Sequence, residues 1–314
     1  MNSKTLLLLL VLAVLVAAGL IGYGDFRETF RHLMDFPLTH LFAALALALM
    51  NYFLRFVRWA LYLKVLNIKI PLAASALVFL SGLAMSITPG KAGEALKSYL
   101  LRERTGTPVA ASLPVVVMER ATDLVSVVLL GMVGLALLPM PVLVILSAAL
   151  LICGVVLLVL TSKHSQHLAN LPLLRRWKSE LLSSQESLRL LAAPRVMLAA
   201  VILGAAAWFS EGVALWVILL GLDEPLAMDK VLPIYAAATL VGAITTIPGG
   251  LGATEGSMVA LLQQSGLARD AASAGTLLVR FATLVFAVLL GLAALVLIRR
   301  IGPNARSRSP AMET

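Results

Sequence analysis

Cysteine, histidine and the usual catalytic patterns are scarce in this sequence. Its 314 residues include one cysteine, Cys153, so an intramolecular disulfide and a cysteine-based metal cluster are both excluded. Of its four histidines, His164 and His167 are three residues apart, and such a pair is a weak metal signal. No nucleophile elbow, phosphate-binding glycine loop or zinc-protease motif occurs. We therefore expect no metal, no cofactor and no enzymatic activity.

Charge is also scarce, and apolar residues dominate. Charged residues make up 13% of the sequence and hydrophobic residues 60%, whereas soluble domains contain about 25% charged residues. This composition is typical of an integral membrane protein. The formal net charge of +9 then indicates basic loops facing anionic lipid, and no nucleic-acid partner is expected. We predict an all-α polytopic membrane protein whose partners are membrane lipids.

Two similar stretches interrupt the apolar sequence, one in each half of the chain: Ser86 to Glu94 and Thr245 to Glu255. Their helix-breaking residues are Pro89, Gly90 and Gly93 in the first and Pro248, Gly249, Gly250 and Gly252 in the second. Proline and glycine end helices, and the backbone groups they free at membrane depth must be buried in protein or line a wet cavity. Matched breaks in two halves predict a transporter-like site.

Apolar runs divide the chain into about six full spans and two re-entrant broken helices. The segments of this single membrane domain, 1–314, are a first span 1–22, a first repeat half 41–138, a linking span 142–161, a cytoplasmic loop 162–194, a second repeat half 195–298 and a basic tail 299–314. In the loop, Trp177 and several leucines, including Leu173 and Leu174, recur at helical spacing among basic residues. This pattern predicts an amphipathic helix lying on the membrane surface, with a solvated connector helix as the alternative.

The distribution of lysine and arginine orients these spans. With re-entrant breaks, most of the 25 basic side chains fall on the side of both termini, and this count includes Arg55, Arg58 and Lys97. Those on the opposite side are Arg27, Arg31, Lys230 and Arg269. If both breaks crossed the membrane fully, the basic loop would lie outside. The positive-inside rule therefore favours re-entrant breaks, cytoplasmic termini and two halves that are inverted copies.

Ionisable side chains inside the predicted spans are candidates for function, because each costs about 2.5–3.5 kcal/mol on insertion scales. The predicted substrate-binding residues are Glu119, Arg120, Asp123, Glu211 and Arg280 within spans, and Lys91, Glu94 and Glu255 at the breaks. On one helix Glu119 and Asp123 share a face. Arg120 points about 100° away, toward a partner such as Glu94 or Glu255.

Two interpretations of these charges stay open. The side chains could pair with one another and hold the bundle together. Alternatively, Arg120 and Arg280 hold an anionic phosphate head group, because a guanidinium matches phosphate bidentately. Backbone N–H groups at the breaks would then add to the anion site. The carboxylates would balance the site, bind a cationic head group or carry coupling protons.

Four motifs in order resemble a known family: Thr88 to Leu101, Glu119 to Asp123, Ile247 to Glu255, and Arg280. The sequence resembles the lysylphosphatidylglycerol synthase transmembrane region, also called the flippase-like domain family, over nearly the whole chain. The resemblance implies a polytopic protein of the bacterial inner membrane that moves lipids between leaflets. In fused members an attached soluble synthase makes the aminoacylated lipid. This sequence ends soon after its last predicted span, so we expect a stand-alone member.

We interpret the protein as a lipid flippase that moves a phospholipid or another polar-headed lipid between leaflets of the inner membrane. One alternative is a membrane-embedded transferase acting on lipid head groups. A second is a non-transporting scaffold that docks a separate lipid-modifying enzyme through the loop 162–194.

Overall fold

The computed structural model describes residues 14–88, 93–132, 177–245 and 247–301, with scattered positions between 140 and 162. Within these residues every regular element is helical, which confirms the all-α prediction. Several predicted features lie outside them. These are the start of the first span, most of the linking span 142–161, Leu173 and Leu174 of the loop, the tail beyond 301, and Pro89, Gly90 and Lys91 of the first break.

The helices of the described residues are α1 (Val14–Tyr23), α2 (Phe26–Met34), α3 (Leu38–Val65), α4 (Leu72–Leu83), α5 (Leu96–Thr105), α6 (Val109–Met132), α7 (Lys178–Leu191), α8 (Pro194–Gly221), α9 (Met228–Ile244), α10 (Ala253–Gln264), α11 (Arg269–Arg280) and α12 (Phe286–Arg300). A 3-10 turn, Pro248–Gly250, lies between α9 and α10. A π-helical turn, Phe281–Val285, joins α11 to α12.

Three of the described helical segments are long and apolar enough to cross a membrane: α3, α8 and the continuous run from α11 to α12. Both α3 and α8 contain 28 residues. At 1.5 Å per residue each is about 42 Å long, more than the roughly 30 Å of a hydrocarbon core. α6 has 24 residues but carries Glu119, Arg120 and Asp123 in its middle, so its charges need partners within the protein. The protein is a polytopic helical membrane protein.

The same order of elements occurs twice in the chain. A 28-residue helix (α3 or α8) is followed by a shorter helix (α4 or α9), a break, a second short helix (α5 or α10) and a long helical run. Residues of α3 contact residues of α8 in the opposite sequence order. A Cβ on Gly221 would lie 2.9 Å from His40 Cβ, the Asn51 side chain donates to the Ala207 carbonyl at 2.8 Å, and Arg58 lies against Gly204. These two helices are therefore antiparallel, as inverted halves require, and the inverted repeat itself stays a prediction.

The two ends of the helix bundle differ in charge. At one end α2 contacts α11, with His32 Nε2 lying 3.1 Å from Asp270 Oδ2. Charged side chains near this end include Asp25, Arg27, Glu28, Arg31, Asp223, Glu224, Asp229, Lys230 and Arg269. At the other end Arg104 donates to the carbonyl of Ile298, which brings the end of α5 to the end of α12. Basic side chains predominate there and include Lys64, Arg102, Arg104, Arg195, Arg299 and Arg300.

The amphipathic segment of the loop packs on the bundle through its last turns. Leu188 and Leu191 of α7 are buried in a core cluster with Val115 and Met118 of α6. Ser184 Oγ also donates to the carbonyl of Ala110 at 2.6 Å. The last turns of α7 therefore cover the start of α6, whereas Trp177 and Leu181 at its other end are exposed. The choice between a surface helix and a connector helix stays a prediction.

Helix α12 approaches the end of α4 closely at Gly291. A Cβ added there would lie 2.8 Å from Ala84 Cα and 2.9 Å from the Leu80 carbonyl oxygen. We expect Gly291→Ala to lower the unfolding temperature in detergent, because overpacking costs about 1–3 kcal/mol and the clash is with backbone. Gly256→Ala is the matched control, since nothing lies within 4 Å of a Cβ at Gly256 in α10. Equal unfolding temperatures for the two variants would contradict this contact.

Candidate functional site

The two helix breaks contact each other. A Cβ on Gly249 would lie 3.3 Å from Ile87 Cγ1, and Ile87 packs against Leu251. A cavity of about 390 Å³ lies at this junction. Its wall includes Ser86 and Thr88 from the first break and Ile247, Gly249 and Gly250 from the second. Segments about half the chain apart therefore build one site.

The glycines of the second break have backbone conformations that other residues rarely adopt. Gly249, Gly250 and Gly252 have φ values of 64°, 66° and 85°, in the left-handed region that glycine enters without steric cost. Pro248 begins the short 3-10 turn. Glu255 Oε2 then accepts the N–H of Gly252 at 2.6 Å and caps the start of α10. At the first break, the Gly93 N–H donates to Thr88 Oγ1 at 2.9 Å.

Charged side chains from both halves line the cavity. They are Arg55, Arg120 and Asp123 from the first half and Glu211 and Arg280 from the second. Aromatic side chains complete the wall: Tyr52, Trp208 and Tyr235. Tyr235 donates its hydroxyl to Glu211 Oε2 at 2.5 Å. The structure thus brings four of the predicted site residues, Arg120, Asp123, Glu211 and Arg280, to one cavity.

The other described site residues, Glu94, Glu119 and Glu255, are buried and bind basic side chains. Glu94 Oε2 lies 3.1 Å from Arg120 Nη2 and 3.3 Å from Lys97 Nζ. Glu119 also binds Lys97 Nζ. Arg120 therefore reaches Glu94, as the sequence predicts. It also lies 3.1 Å from Asp123 Oδ2, one turn further along its own helix.

The count of lysine and arginine used to orient the spans placed three basic residues wrongly on the cytoplasmic side. Arg55, Arg58 and Lys97 are buried in the bundle, with 5%, 0% and 2% of their surfaces exposed, and do not lie in a cytoplasmic loop. Each lies near a carboxylate: Arg58 Nη2 is 2.6 Å from Asp123 Oδ1. The sequence signal that could have found them is their spacing. Arg55 and Arg58 are one helical turn apart in an apolar span, and the carboxylates of α6 need cations.

The second half repeats the ion pair of the first. Arg280 Nε lies 2.5 Å from Glu255 Oε1, and Arg280 Nη2 donates to the Gly249 carbonyl at 2.6 Å. Glu94 and Arg120 are 26 residues apart, and Glu255 and Arg280 are 25 apart. In both halves an arginine on the long following helix therefore binds the glutamate that follows the break.

Two hydrogen bonds between the halves also correspond. On α3, Tyr52 donates to the Thr283 carbonyl at 2.6 Å. On α8, Trp208 Nε1 donates to Asp123 Oδ1 at 3.2 Å. Thr283 lies three residues after Arg280, just as Asp123 lies three residues after Arg120. Thr283 belongs to the π-helical turn, an irregularity that occurs frequently at functional sites.

The ion pair of Lys97 and Glu119 tests whether buried charges hold the bundle together. In the second half Met258 and Val279 occupy the corresponding positions, and both are fully buried. Lys97→Met alone leaves Glu119 buried without its cation, which costs about 3–5 kcal/mol. We expect the double variant Lys97→Met/Glu119→Val to recover most of that loss, measured as unfolding temperature in detergent. If the double variant is as unstable as Lys97→Met, the ion pair itself stabilises the bundle, and mutual neutralisation of the two charges is not its only role.

Comparisons with known proteins agree with this architecture. Residues 10–291 match the family described as Lysylphosphatidylglycerol synthase TM region. A UPF0104 membrane protein of Methanothermobacter thermautotrophicus is 22% identical over 332 aligned positions, which cover 94% of this chain and 96% of that protein. The match to the family spans both helix breaks and every charged residue of the cavity. The chain belongs to the lysylphosphatidylglycerol synthase TM region family, a membrane protein family tied to lipid metabolism.

Proposed function

We propose that the protein is a lipid flippase that moves a polar-headed lipid between the leaflets of the membrane. The observation that carries this proposal is the cavity at which the breaks of the two halves meet. Three arginines and two carboxylates line it within a membrane protein. Charged groups at membrane depth are costly, and they mark substrate pathways in transporters.

The cavity suits a lipid head group without its acyl chains. Its volume of about 390 Å³ lies near the lower end of the range of about 300–1,000 Å³ for small-ligand sites. Its apolar wall includes Ile244 and Ile247, whose surfaces are 47% and 39% exposed. These side chains connect the polar interior with the outer surface of the bundle. The head group would occupy the polar interior while the chains stay in lipid.

The proposed transport cycle exposes the cavity to each leaflet in turn. Transporters built from inverted repeats do this largely by rocking one repeat against the other around a fixed site. The antiparallel contact of α3 with α8 and the contact between the two breaks support such a motion here. In this proposal the protein performs transport and no chemical transformation of the lipid.

We also propose the orientation and location of the protein. The basic end, with Arg104, Arg195 and Arg300, faces the cytoplasm, because cytoplasmic surfaces of membrane proteins are rich in lysine and arginine. Both termini then lie in the cytoplasm, with the two breaks re-entering from opposite sides. The family resemblance implies the inner membrane of a bacterium.

Reconstituted vesicles test the proposed activity. Purified full-length protein in liposomes should exchange labelled phospholipids between leaflets faster than protein-free liposomes. Absence of exchange for every polar-headed lipid tried would contradict the proposal. Chemical modification of a head group without exchange would favour the transferase. Exchange that appears only with a separate lipid-modifying enzyme would favour the scaffold.

Arg280 is expected to be needed for exchange, because it holds the second break at the cavity. Arg280→Gln removes its ion pair with Glu255 and weakens the bond to the Gly249 carbonyl. Since hydrogen bonds to charged groups contribute about 1.5–3 kcal/mol, exchange should slow by about tenfold or more. Arg27→Gln, an exposed arginine of α2, is the matched control. A folded Arg280→Gln protein with the wild-type exchange rate would contradict this role.

A further inference from the structure

We infer that α2 is an in-plane membrane helix. The apolar face of this nine-residue helix docks into the boundary between lipid head groups and acyl chains, and the helix holds the hairpin of α10 and α11 at a fixed depth in the bilayer. The partner is therefore a lipid surface. This contact lies outside the cavity and does not depend on the proposed transport.

The side chains of α2 point in three directions. One face packs on the bundle and consists of Thr29, His32 and Leu33. A second face is apolar and exposed, and consists of Phe26, Phe30 and Met34. A third face is charged and exposed, and consists of Arg27, Glu28 and Arg31. At about 100° per residue these faces follow one another around the helix, so α2 lies where protein, an apolar medium and water meet.

The exposed apolar face of α2 continues onto a lipid-facing surface of α3. Phe26, Phe30 and Met34 are 67%, 48% and 69% exposed, and Leu38 and Phe42 of α3 follow at the same four-residue spacing and are also exposed. The rings of Phe26 and Phe30 stack, with centroids 6.1 Å apart. Because α3 is long and apolar enough to cross a membrane, its exposed surface faces acyl chains. Lipid is therefore the occupant that this continuous surface requires.

The charged face of α2 suits the water side of the head-group region. Arg31 lies between two exposed carboxylates, 3.8 Å from Glu28 Oε2 and 3.6 Å from Asp35 Oδ2. Arg27 borders the apolar face, where its aliphatic stem can stay beside Phe26 while its guanidinium reaches a lipid phosphate. The apolar and charged faces both run the length of α2. They are satisfied together only when the helix axis lies along the membrane surface.

The helix and the turn before it are attached to the hairpin of α10 and α11. His32 Nε2 lies 3.1 Å from Asp270 Oδ2 at the start of α11. The Tyr23 hydroxyl donates to Gln263 Oε1 near the end of α10 at 3.3 Å. The guanidinium carbon of Arg269 lies 5.4 Å from the centroid of the Tyr23 ring. These contacts hold the hairpin at its turn.

The length of the hairpin relates the depth of α2 to the cavity. α10 and α11 contain 12 residues each, so each is about 18 Å long at 1.5 Å per residue. Their far ends carry Glu255 and Arg280, which form the ion pair of the second break. A hairpin of this length that runs inward from the membrane surface places the ion pair near the middle of a hydrocarbon core roughly 30 Å thick. α2 thus sets the depth of the second break.

Spin labels test the lipid contact. In a Cys153→Ala background, Phe30→Cys and its neighbour on the charged face, Arg31→Cys, would each carry a nitroxide in liposomes. We expect dissolved oxygen, which concentrates in lipid, to relax the label at position 30, and a water-soluble nickel complex to relax the label at position 31. Equal access of the nickel complex to both labels would overturn the inference. Low access of both reagents to position 30 would also overturn it, and dipolar coupling between chains would then identify a second copy as the occupant.

Paired substitutions test the attachment of the hairpin. Phe26→Gln/Phe30→Gln removes the apolar contact with lipid, and Arg27→Gln/Arg31→Gln is the matched control on the charged face. In nanodiscs we expect the first variant to speed amide hydrogen exchange in α2 and at the start of α11 by about tenfold or more, since burial of aromatic side chains contributes that much. The control should change exchange far less, because exposed ion pairs contribute little. Faster exchange in α2 alone would overturn its role in holding the hairpin, and equal exchange in both variants would overturn the whole inference.

Discussion

Compensation of buried positive charge is the constraint on which the rest of this structure depends. An isolated ion in a protein interior or a bilayer is expensive, so each one needs a counter-charge and hydrogen bonds. Asp123 meets this requirement for several helices at once. It binds Arg58 of α3, lies near Arg120 of its own helix, and accepts the indole N–H of Trp208 from α8. A carboxylate in the middle of α6 thus fixes the positions of three helices around the cavity.

The helix breaks depend on the same compensation. A break frees backbone groups that lipid cannot hydrogen-bond, so protein must do so. At the second break Arg280 donates to the freed carbonyl of Gly249, and Glu255 neutralises that arginine while accepting the Gly252 N–H. One arginine and one glutamate therefore stabilise a turn that three glycines make possible. The cavity exists because the interrupted backbone is held in this way beside the first break.

The sequence alone predicts the parts of the site that are marked by local pattern. Proline and glycine in apolar runs identify the breaks, and the position of Arg120 on its helix indicates a partner such as Glu94 or Glu255. The pair of Arg280 with Glu255 comes only from the structure. Arg55, Arg58 and Lys97 are missed because their partners lie on other helices, and a basic residue near the end of a span resembles a loop residue. Lys97 is the clearest case. Its stem packs against Trp59 and Phe79, an environment that only the tertiary structure reveals. The π-helical turn after Arg280 likewise has no proline or glycine to mark it.

The error in placing these three cations does not undo the prediction of orientation, for a physical reason. A cation paired with a carboxylate inside the bundle adds no net charge to either membrane surface, so it carries no information about orientation. The positive-inside rule acts on exposed charges near the ends of spans. Such charges lie at both ends of the bundle, with Arg27, Arg31, Lys230 and Arg269 at one end and Arg102, Arg104, Arg195 and Arg300 at the other. Which end faces the cytoplasm stays a prediction. Arg55 differs from Arg58 and Lys97 in the geometry of that pairing: its Nη2 lies 4.0 Å from Glu94 Oε1 and 3.9 Å from Asp123 Oδ2, close enough for an ion pair but too far for a hydrogen bond. Two carboxylates therefore neutralise its charge on the wall of the cavity without fixing the direction of its guanidinium.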